Sequence, residues 1–175
     1  SKNSTEKFNF HLFYPARYHI IKKILLDKNL LTASEESGRV MKHVVISIKA
    51  FQSLGDAEDR ESFELVTDGE YEHLGDRAEL SYIESELTGF AGLKTTFFVE
   101  PDRVILSRGS GAQCDMIFCL GKKHHFLYET GYGSILMGLD THSIEQNLTP
   151  DGGTLEIHYT LDFNNMFLSR NSFRI

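Results

Sequence analysis

The fold of this chain is decided by residues 126–161, which read F-L-Y-E-T-G-Y-G-S-I-L-M-G-L-D-T-H-S-I-E-Q-N-L-T-P-D-G-G-T-L-E-I-H-Y-T-L. Three strand-like runs are separated by glycines at 131–133 and by the P-D-G-G turn at 150–153. In the last run Leu155, Ile157, Tyr159 and Leu161 alternate with polar residues, as in a strand with one buried and one wet face. The stretch therefore predicts a β-meander, which is an architecture and not a reaction.

Strand patterns follow one another over the rest of the chain after residue 41. We predict strands at residues 42–51, 61–72, 77–86, 93–100, 103–107, 113–120, 124–130, 134–147, 154–163 and 166–175. Turn residues such as Gly55-Asp56 and Pro101-Asp102 divide them, and no helical period of useful length intervenes. So many short antiparallel strands predict a sandwich or a barrel. Hairpin connections throughout favour an all-β, antiparallel up-and-down β-barrel over residues 41–175, which leaves no edge strand exposed.

Length and cysteine content set the class of protein. A chain of 175 residues suits one domain with an extension and needs no disulfide or metal to hold it. Cys114 and Cys119 lie five apart in one predicted strand, so their side chains point to opposite faces and cannot easily form a bridge. Neither a signal peptide nor a run of 18 apolar residues is found. We expect a soluble, cytoplasmic protein with reduced thiols.

Charge divides the chain at about residue 40. The total is -7, but residues 1–40 carry net +3 and residues 41–175 carry net -10. An acidic body repels phosphates, so we expect no nucleic-acid partner for the main domain.

The first 40 residues predict a helical extension followed by a linker at 33–39. Pro15 suits a first helical position, and Ile20, Ile21, Ile24 and Leu25 fall on one stripe of a helix over residues 15–31. A basic amphipathic helix could bind a membrane or nucleic acid, but a helix packed on a barrel has the same pattern. We predict that this helix docks on the barrel, in cis or by exchange within a homodimer, and does not bind membrane.

Several short runs in the barrel region resemble a known family. They are Tyr82-Ile83-Glu84 leading to Thr88-Gly89, V-I-L-S-R-G at 104–109, Y-E-T-G-Y-G at 128–133, I-L-M-G-L-D-T-H-S-I at 135–144 and G-G-T-L-E-I-H-Y-T-L from Gly152. In order and spacing they are similar to the bacterial YwiB-like family of unknown function, over residues 42 to about 175. The resemblance implies a calycin-type, lipocalin-like β-barrel with no established activity. The 40-residue extension departs from the family pattern.

Strand alternation predicts which side chains point into the barrel. The inward set is mostly apolar: Ile46, Ile48, Leu80, Tyr82, Glu84, Phe97, Val99, Val104, Leu106, Arg108, Phe126, Tyr128, Thr130, Ile135, Met137, Leu139 and Thr141, beside the four residues of the last run. Glu84 and Arg108 would each lie near a barrel mouth. Because an isolated buried charge is too costly, they either pair with each other or one of them meets a ligand.

Two functions of different classes fit these residues. A barrel of this size has an interior that holds side chains or one small ligand. In a binding protein, Arg108, Glu84, Tyr82, Tyr128 and Thr130 would supply the polar contacts of an otherwise apolar site. In an interaction module, large side chains would fill the core and a partner would use the outer surface or the N-terminal helix. An open cavity of a few hundred cubic ångströms favours the first function.

Catalytic and metal sites are not indicated. His124 and His125 are adjacent on one strand and point to opposite faces, and His142 and His158 fall on the predicted outer face. The run S-R-G-S-G at 107–111 follows a strand without leading to a helix, and no G-x-S-x-G motif is present. We therefore predict no catalytic residue, no metal and no cofactor, and an enzyme ranks last among the functions considered.

Overall fold

The computed structural model describes residues 41–55, 60–109, 115–130 and 133–175. Within these ranges ten strands form one sheet: β1 (Lys42–Leu54), β2 (Arg60–Leu74), β3 (Arg77–Ile83), β4 (Lys94–Val99), β5 (Val104–Arg108), β6 (Met116–Phe118), β7 (His124–Thr130), β8 (Gly133–Thr149), β9 (Gly152–Phe163) and β10 (Met166–Arg174). A 3₁₀ turn, Glu86–Thr88, lies between β3 and β4. The described part of the chain is all-β, as predicted.

The sheet curls into a nearly closed antiparallel barrel. Its strand order is β6-β5-β4-β3-β2-β1-β10-β9-β8-β7, so neighbours in sequence are neighbours in space and β1 also pairs with β10. The two ends of the sheet approach each other at one seam. There Leu120 forms a parallel bridge to Thr141, and the Cys119 N–H donates to Thr141 Oγ1 at 3.2 Å.

Alternation places the core inside the barrel, and the predicted inward residues are confirmed wherever their side chains are described. Most are buried, while Leu80, Arg108, Tyr128 and Ile135 are half-buried. The middle of the barrel is filled by four aromatic rings from different strands, each at most 1% exposed, with centroids 5.1 to 6.3 Å apart in the contacting pairs: Phe97, Phe118, Tyr159 and Phe173. Edge-on and tilted contacts of this kind stabilise a core beyond the area they bury.

A two-residue turn joins β9 to β10. Asn164 and Asn165 both have positive φ, at 52° and 61°, as a type I′ hairpin turn requires. Asparagine tolerates this left-handed region better than other residues with a side chain. The turn sets the register in which β10 returns along β9 toward its end at Arg174.

The structure differs from the predicted elements in a few places. β3 ends at Ile83 and not at 86, because the chain turns there into the 3₁₀ segment that ends at Gly89 in the left-handed conformation. β6 is shorter than the predicted strand at 113–120. Cys119 is free, while Cys114, the predicted helix at 15–31 and the linker at 33–39 lie outside the described residues. No helix in the described ranges is long and apolar enough to cross a membrane.

Candidate functional site

A cavity of about 470 Å³ lies at one end of the barrel, beyond the aromatic layer. This is the end where β1 begins and where the β2–β3 and β8–β9 turns lie. Most of the inward side chains around the cavity are apolar: Val44, Ile46, Tyr71, Ala78, Leu80, Phe97, Val99, Leu148 and Leu155. The Tyr71 hydroxyl donates to the Thr149 carbonyl at 2.8 Å, so its hydrogen-bonding capacity is used within the wall, and burial raises its pKa.

The cavity opens through the barrel wall beside the end of β10 at Arg174. β1 pairs with β10 only from Lys49 onward, opposite Arg174, so residues 42–48 have no strand partner on that side in the described chain. Ile175 and Leu155 exchange backbone hydrogen bonds at 2.8 and 2.9 Å. This pair forms the lower border of the gap, at the end of β10. The cavity is also lined by Val45 and Ser47, whose side chains point outward on β1. We call this opening between residues 43–48 of β1 and residues 152–154 of β9 the wall window.

Exposed charged groups surround the wall window. At its upper border the Lys42 ammonium donates to the Pro150 carbonyl at 2.7 Å and lies 3.4 Å from Asp151 Oδ1. Lys49 and Arg174, at the lower border, pair loosely with carboxylates of neighbouring strands at 3.2 and 3.9 Å. Such solvent-exposed pairs contribute little to stability, and the side chains can move aside at low cost.

The opposite end of the barrel carries a buried polar cluster. Tyr82, Thr95 and Arg108 lie side by side in one cross-strand row of β3, β4 and β5, and Glu84 follows the end of β3. The Arg108 Nε lies 3.1 Å from Glu84 Oε1, with side-chain exposures of 16% and 1%. The Thr95 hydroxyl donates to the same carboxylate oxygen.

Aromatic groups enclose this polar cluster. The Arg108 guanidinium lies 4.2 Å from the ring centre of Phe90, in the geometry of a cation–π contact. Burial raises the pKa of Tyr82, Tyr128 and Tyr159, and the charge of Arg108 opposes that rise in each case. The Tyr159 hydroxyl and Glu84 Oε2 are buried and have no hydrogen-bond partner among the described residues. Three tyrosines therefore share the electrostatic environment of one half-buried cation.

The sequence-predicted ligand set falls at this polar end. The structure brings Arg108, Glu84 and Tyr82 together, and Tyr128 lies within reach of the same charge. Thr130 belongs to β7, but its side chain lies outside the described residues. Of the two alternatives for the charged residues, the structure shows the internal ion pair. None of the four whose side chains are described lines the cavity, and contact of the five residues with a ligand stays a prediction.

Sequence reasoning missed the cavity itself. Five of its nine inward residues were predicted to point inward: Ile46, Leu80, Phe97, Val99 and Leu155. Nothing in their alternation distinguishes a lined cavity from a filled core. Gly69 on β2 and Ala78 on β3 are small residues on the inner face of the barrel. Small inward residues would have been a weak signal of free space. For Gly69 that signal would mislead, because a Cβ there would lie 2.5 Å from the Ser81 carbonyl oxygen.

Histidine, cysteine and carboxylate groups do not assemble into a metal site in the described ranges. His142 and His158 are exposed on the outer face, as predicted, and each contacts a neighbouring side chain: Thr160 at 3.1 Å and Glu156 at 3.0 Å. His124 is partly buried, and burial lowers its pKa.

Fold and cavity together define an all-β barrel with an apolar cavity at one end. Comparison with known proteins agrees: residues 46–175 match the family described as a domain of unknown function (DUF1934), and the chain belongs to that family. The barrel is also similar to the crystal structure of the ywiB protein from Bacillus subtilis, with a TM-score of 0.56 and 21% identity over 77% of this chain and 92% of that one. At this identity the likeness shows the fold alone. No curated protein matches the chain.

Proposed function

We propose that this barrel binds one small, mainly apolar ligand in its end cavity. The observation that carries the proposal is the volume of about 470 Å³, which lies within the range of about 300–1,000 Å³ typical of ligand sites. A filled barrel would leave no such space. Transfer of apolar ligand surface from water to these walls would supply most of the affinity.

The wall window would supply the polar contacts. Ligand sites usually combine apolar walls with a few placed polar groups, and backbone N–H and C=O groups are common among them. In this cavity the inward side chains offer few free polar atoms, because the Tyr71 hydroxyl already donates to Thr149. At the opening the exposed side chains of Ser47, Lys49 and Arg174 line the cavity and would supply polar contacts.

An interaction module with a filled core remains the second candidate. The aromatic layer around Phe118 and Tyr159 supports it, since the middle of the barrel has no room for a ligand. The sequence-predicted set around Arg108 and Glu84 would belong to a ligand at the other mouth, and it stays a prediction. The same holds for a calycin-type affiliation, a bacterial and cytoplasmic setting, a possible homodimer, and the absence of membrane and nucleic-acid partners.

A single tryptophan can report on the cavity, because the chain has none of its own. Phe97→Trp places the indole against the cavity, and Phe98→Trp places it on the outer face of the same strand, where Phe98 is 39% exposed. Titration with bromobenzene, an apolar molecule that quenches indole emission only near contact, should quench the emission of Phe97→Trp far more than that of Phe98→Trp.

Native mass spectrometry of protein purified without denaturation would add the identity of any retained molecule and the oligomeric state. Equal quenching of the two tryptophans would contradict ligand binding in the cavity. No quenching of either, together with a ligand-free mass, would favour the interaction module.

A further inference from the structure

A second cavity lies at the same end of the barrel, beside the end cavity. It has a volume of about 370 Å³ and is bordered by the β2–β3 turn, by Pro101 and by residues 146–148 of β8. Ala78, Val99 and Leu148 line both cavities, so the two adjoin each other at a shared apolar border. We call the second cavity the vestibule.

The backbone pairing of β8 explains why the vestibule lies there. β8 pairs with β7 only as far as Leu139, opposite His124, and from Ser143 onward its partner among the described strands is β9. The last part of β8 therefore runs along the mouth of the barrel with a neighbour on one side. The β2–β3 turn and Pro101 lie across the vestibule from it.

Two polar side chains of the vestibule belong to the inner face of the barrel. His73 lies in one cross-strand row with Ala78 and Val99, and residues opposite each other in a sheet share a face. Because Ala78 and Val99 are buried in the interior, the half-buried imidazole of His73 faces inward as well. Gln146 lies opposite Leu155, which is 2% exposed, so it is on the inner face of β8. Each of these two side chains offers both a hydrogen-bond donor and an acceptor.

The charged groups of the vestibule balance each other. Asp76 and Arg77 are adjacent, exposed and of opposite sign. With a neutral imidazole at His73 and an amide at Gln146, the vestibule has no net charge that would select an anion or a cation. A charged headgroup would lose part of its hydration there without gaining an excess of opposite charge. An uncharged headgroup that both donates and accepts can use His73 and Gln146 together.

We propose that the ligand of the end cavity is an uncharged amphipathic molecule, with its apolar part in the end cavity and a hydroxyl or amide headgroup in the vestibule beside His73 and Gln146. This inference rests on the proposed function and names the class of its ligand. The shared border of Ala78, Val99 and Leu148 is apolar, as a chain that passes from one cavity to the other requires. Burial of that chain supplies affinity, and the bonds to the headgroup supply selectivity.

A displacement titration tests the class of ligand. Bromobenzene quenches the emission of the full chain carrying Phe97→Trp, and a molecule that enters the end cavity displaces it and restores the emission. Octanamide is the probe, and octanoate and octylammonium, which have alkyl chains of similar length, are the matched controls. Because a charged headgroup loses hydration in the vestibule, we expect octanamide to bind at least about fivefold more tightly than either charged molecule.

Variants of the two inner polar residues test the contact with the headgroup. His73→Leu and Gln146→Met each remove one hydrogen-bonding side chain and keep a side chain of similar size. Because one net hydrogen bond contributes about a factor of five to affinity, each variant should bind octanamide about fivefold more weakly and bromobenzene equally well. His43→Leu is the matched control, because His43 is exposed on β1 and lines neither cavity. If His73→Leu does not fold by circular dichroism, Gln146→Met, at an exposed position, decides.

The outcomes separate this inference from the proposed function. Bromobenzene binding without displacement by octanamide overturns the amphipathic class and leaves a site for apolar molecules in place. Octanoate or octylammonium binding as tightly as octanamide overturns the uncharged headgroup. Unchanged affinity for octanamide in the variants of His73 and Gln146 overturns the vestibule as the headgroup site. If neither bromobenzene nor octanamide binds, by emission or by calorimetry, the proposed function is overturned, and this inference with it.

Discussion

Replacing Arg108 with methionine would break the buried ion pair at the polar end of the barrel. In the folded protein the Arg108 Nε lies 3.1 Å from Glu84 Oε1 and 3.2 Å from the Thr95 hydroxyl. Methionine keeps much of the apolar length of the side chain but cannot neutralise the carboxylate. Glu84, with a side chain that is 1% exposed, would retain one hydrogen bond from Thr95 and an Oε2 without a partner.

The magnitude follows from this burial. Removal of one partner of a buried ion pair costs about 3–5 kcal/mol, because the other charge stays buried and uncompensated. We expect the lower end, about 3 kcal/mol, since Arg108 is 16% exposed and its removal lets water reach the carboxylate. In a chain of this length 1 kcal/mol shifts Tm by about 2–4 °C, so the variant should melt roughly 6–12 °C lower.

Urea denaturation of single and double variants would measure this coupling. Glu84→Leu with Arg108→Met removes both charges and should recover much of the loss, because apolar replacement of a buried pair is often neutral. Arg103→Met is the matched control: its Nε lies closer to a carboxylate, 2.6 Å from Glu100 Oε2, but the pair is exposed and its loss should change stability little. Equal losses for Arg108→Met and Arg103→Met, or additive effects in the double variant, would refute the reasoning.

Three further predictions concern tyrosines and one turn. Tyr71→Phe should lose about 1 kcal/mol in thermal melts because its hydroxyl donates to a backbone carbonyl, whereas Tyr159→Phe should be neutral or stabilising because that buried hydroxyl has no partner among the described residues. Burial raises the pKa of Tyr82 and Tyr159 above the ordinary value of 10.0. At a pH above 10.0 the unfolded chain therefore loses protons that the folded chain keeps. The free energy of unfolding should then fall by up to about 1.4 kcal/mol per pH unit for each tyrosine, and Tyr159→Phe should reduce the total slope by up to that amount in urea melts at rising pH. Asn165→Ala should lower stability by about 1 kcal/mol at a position with φ of 61°, and Asn165→Gly should not.

Most of the fold could be predicted because strand alternation has a strict period of two. In β9 the residues chosen as inward, from Leu155 to Leu161, are at most 2% exposed, and their polar neighbours lie outside or at intermediate depth. A shift of one residue would have exposed every apolar side chain, so the pattern allows one assignment. The ends of β3 and β6 were less predictable, since local turns and not periodicity determine them.

The candidate site could be predicted only in part. Alternation indicated that Glu84 and Arg108 point inward, and the cost of a buried charge required a partner for each. Glu84 and Arg108 are each other's partner because of the cross-strand row that β3, β4 and β5 form. No local sequence pattern shows that row. The wall window depends on the stagger between β1 and β10, where Lys49 meets Arg174. Stagger is a property of two strands together, and neither strand's sequence shows it alone.

The two ends of the barrel have opposite chemistry, and the aromatic layer keeps them apart. Phe97, Phe118, Tyr159 and Phe173 are at most 1% exposed and contact one another across the interior. A small ligand in the cavity of about 470 Å³ could reach Arg108 only by displacing these rings, which would forfeit the close packing of the core. A ligand at the polar mouth and a ligand in the cavity are therefore separate hypotheses. A ligand at the polar mouth would compete with the Arg108–Glu84 ion pair, whereas a ligand in the cavity would bury apolar surface against the cavity walls.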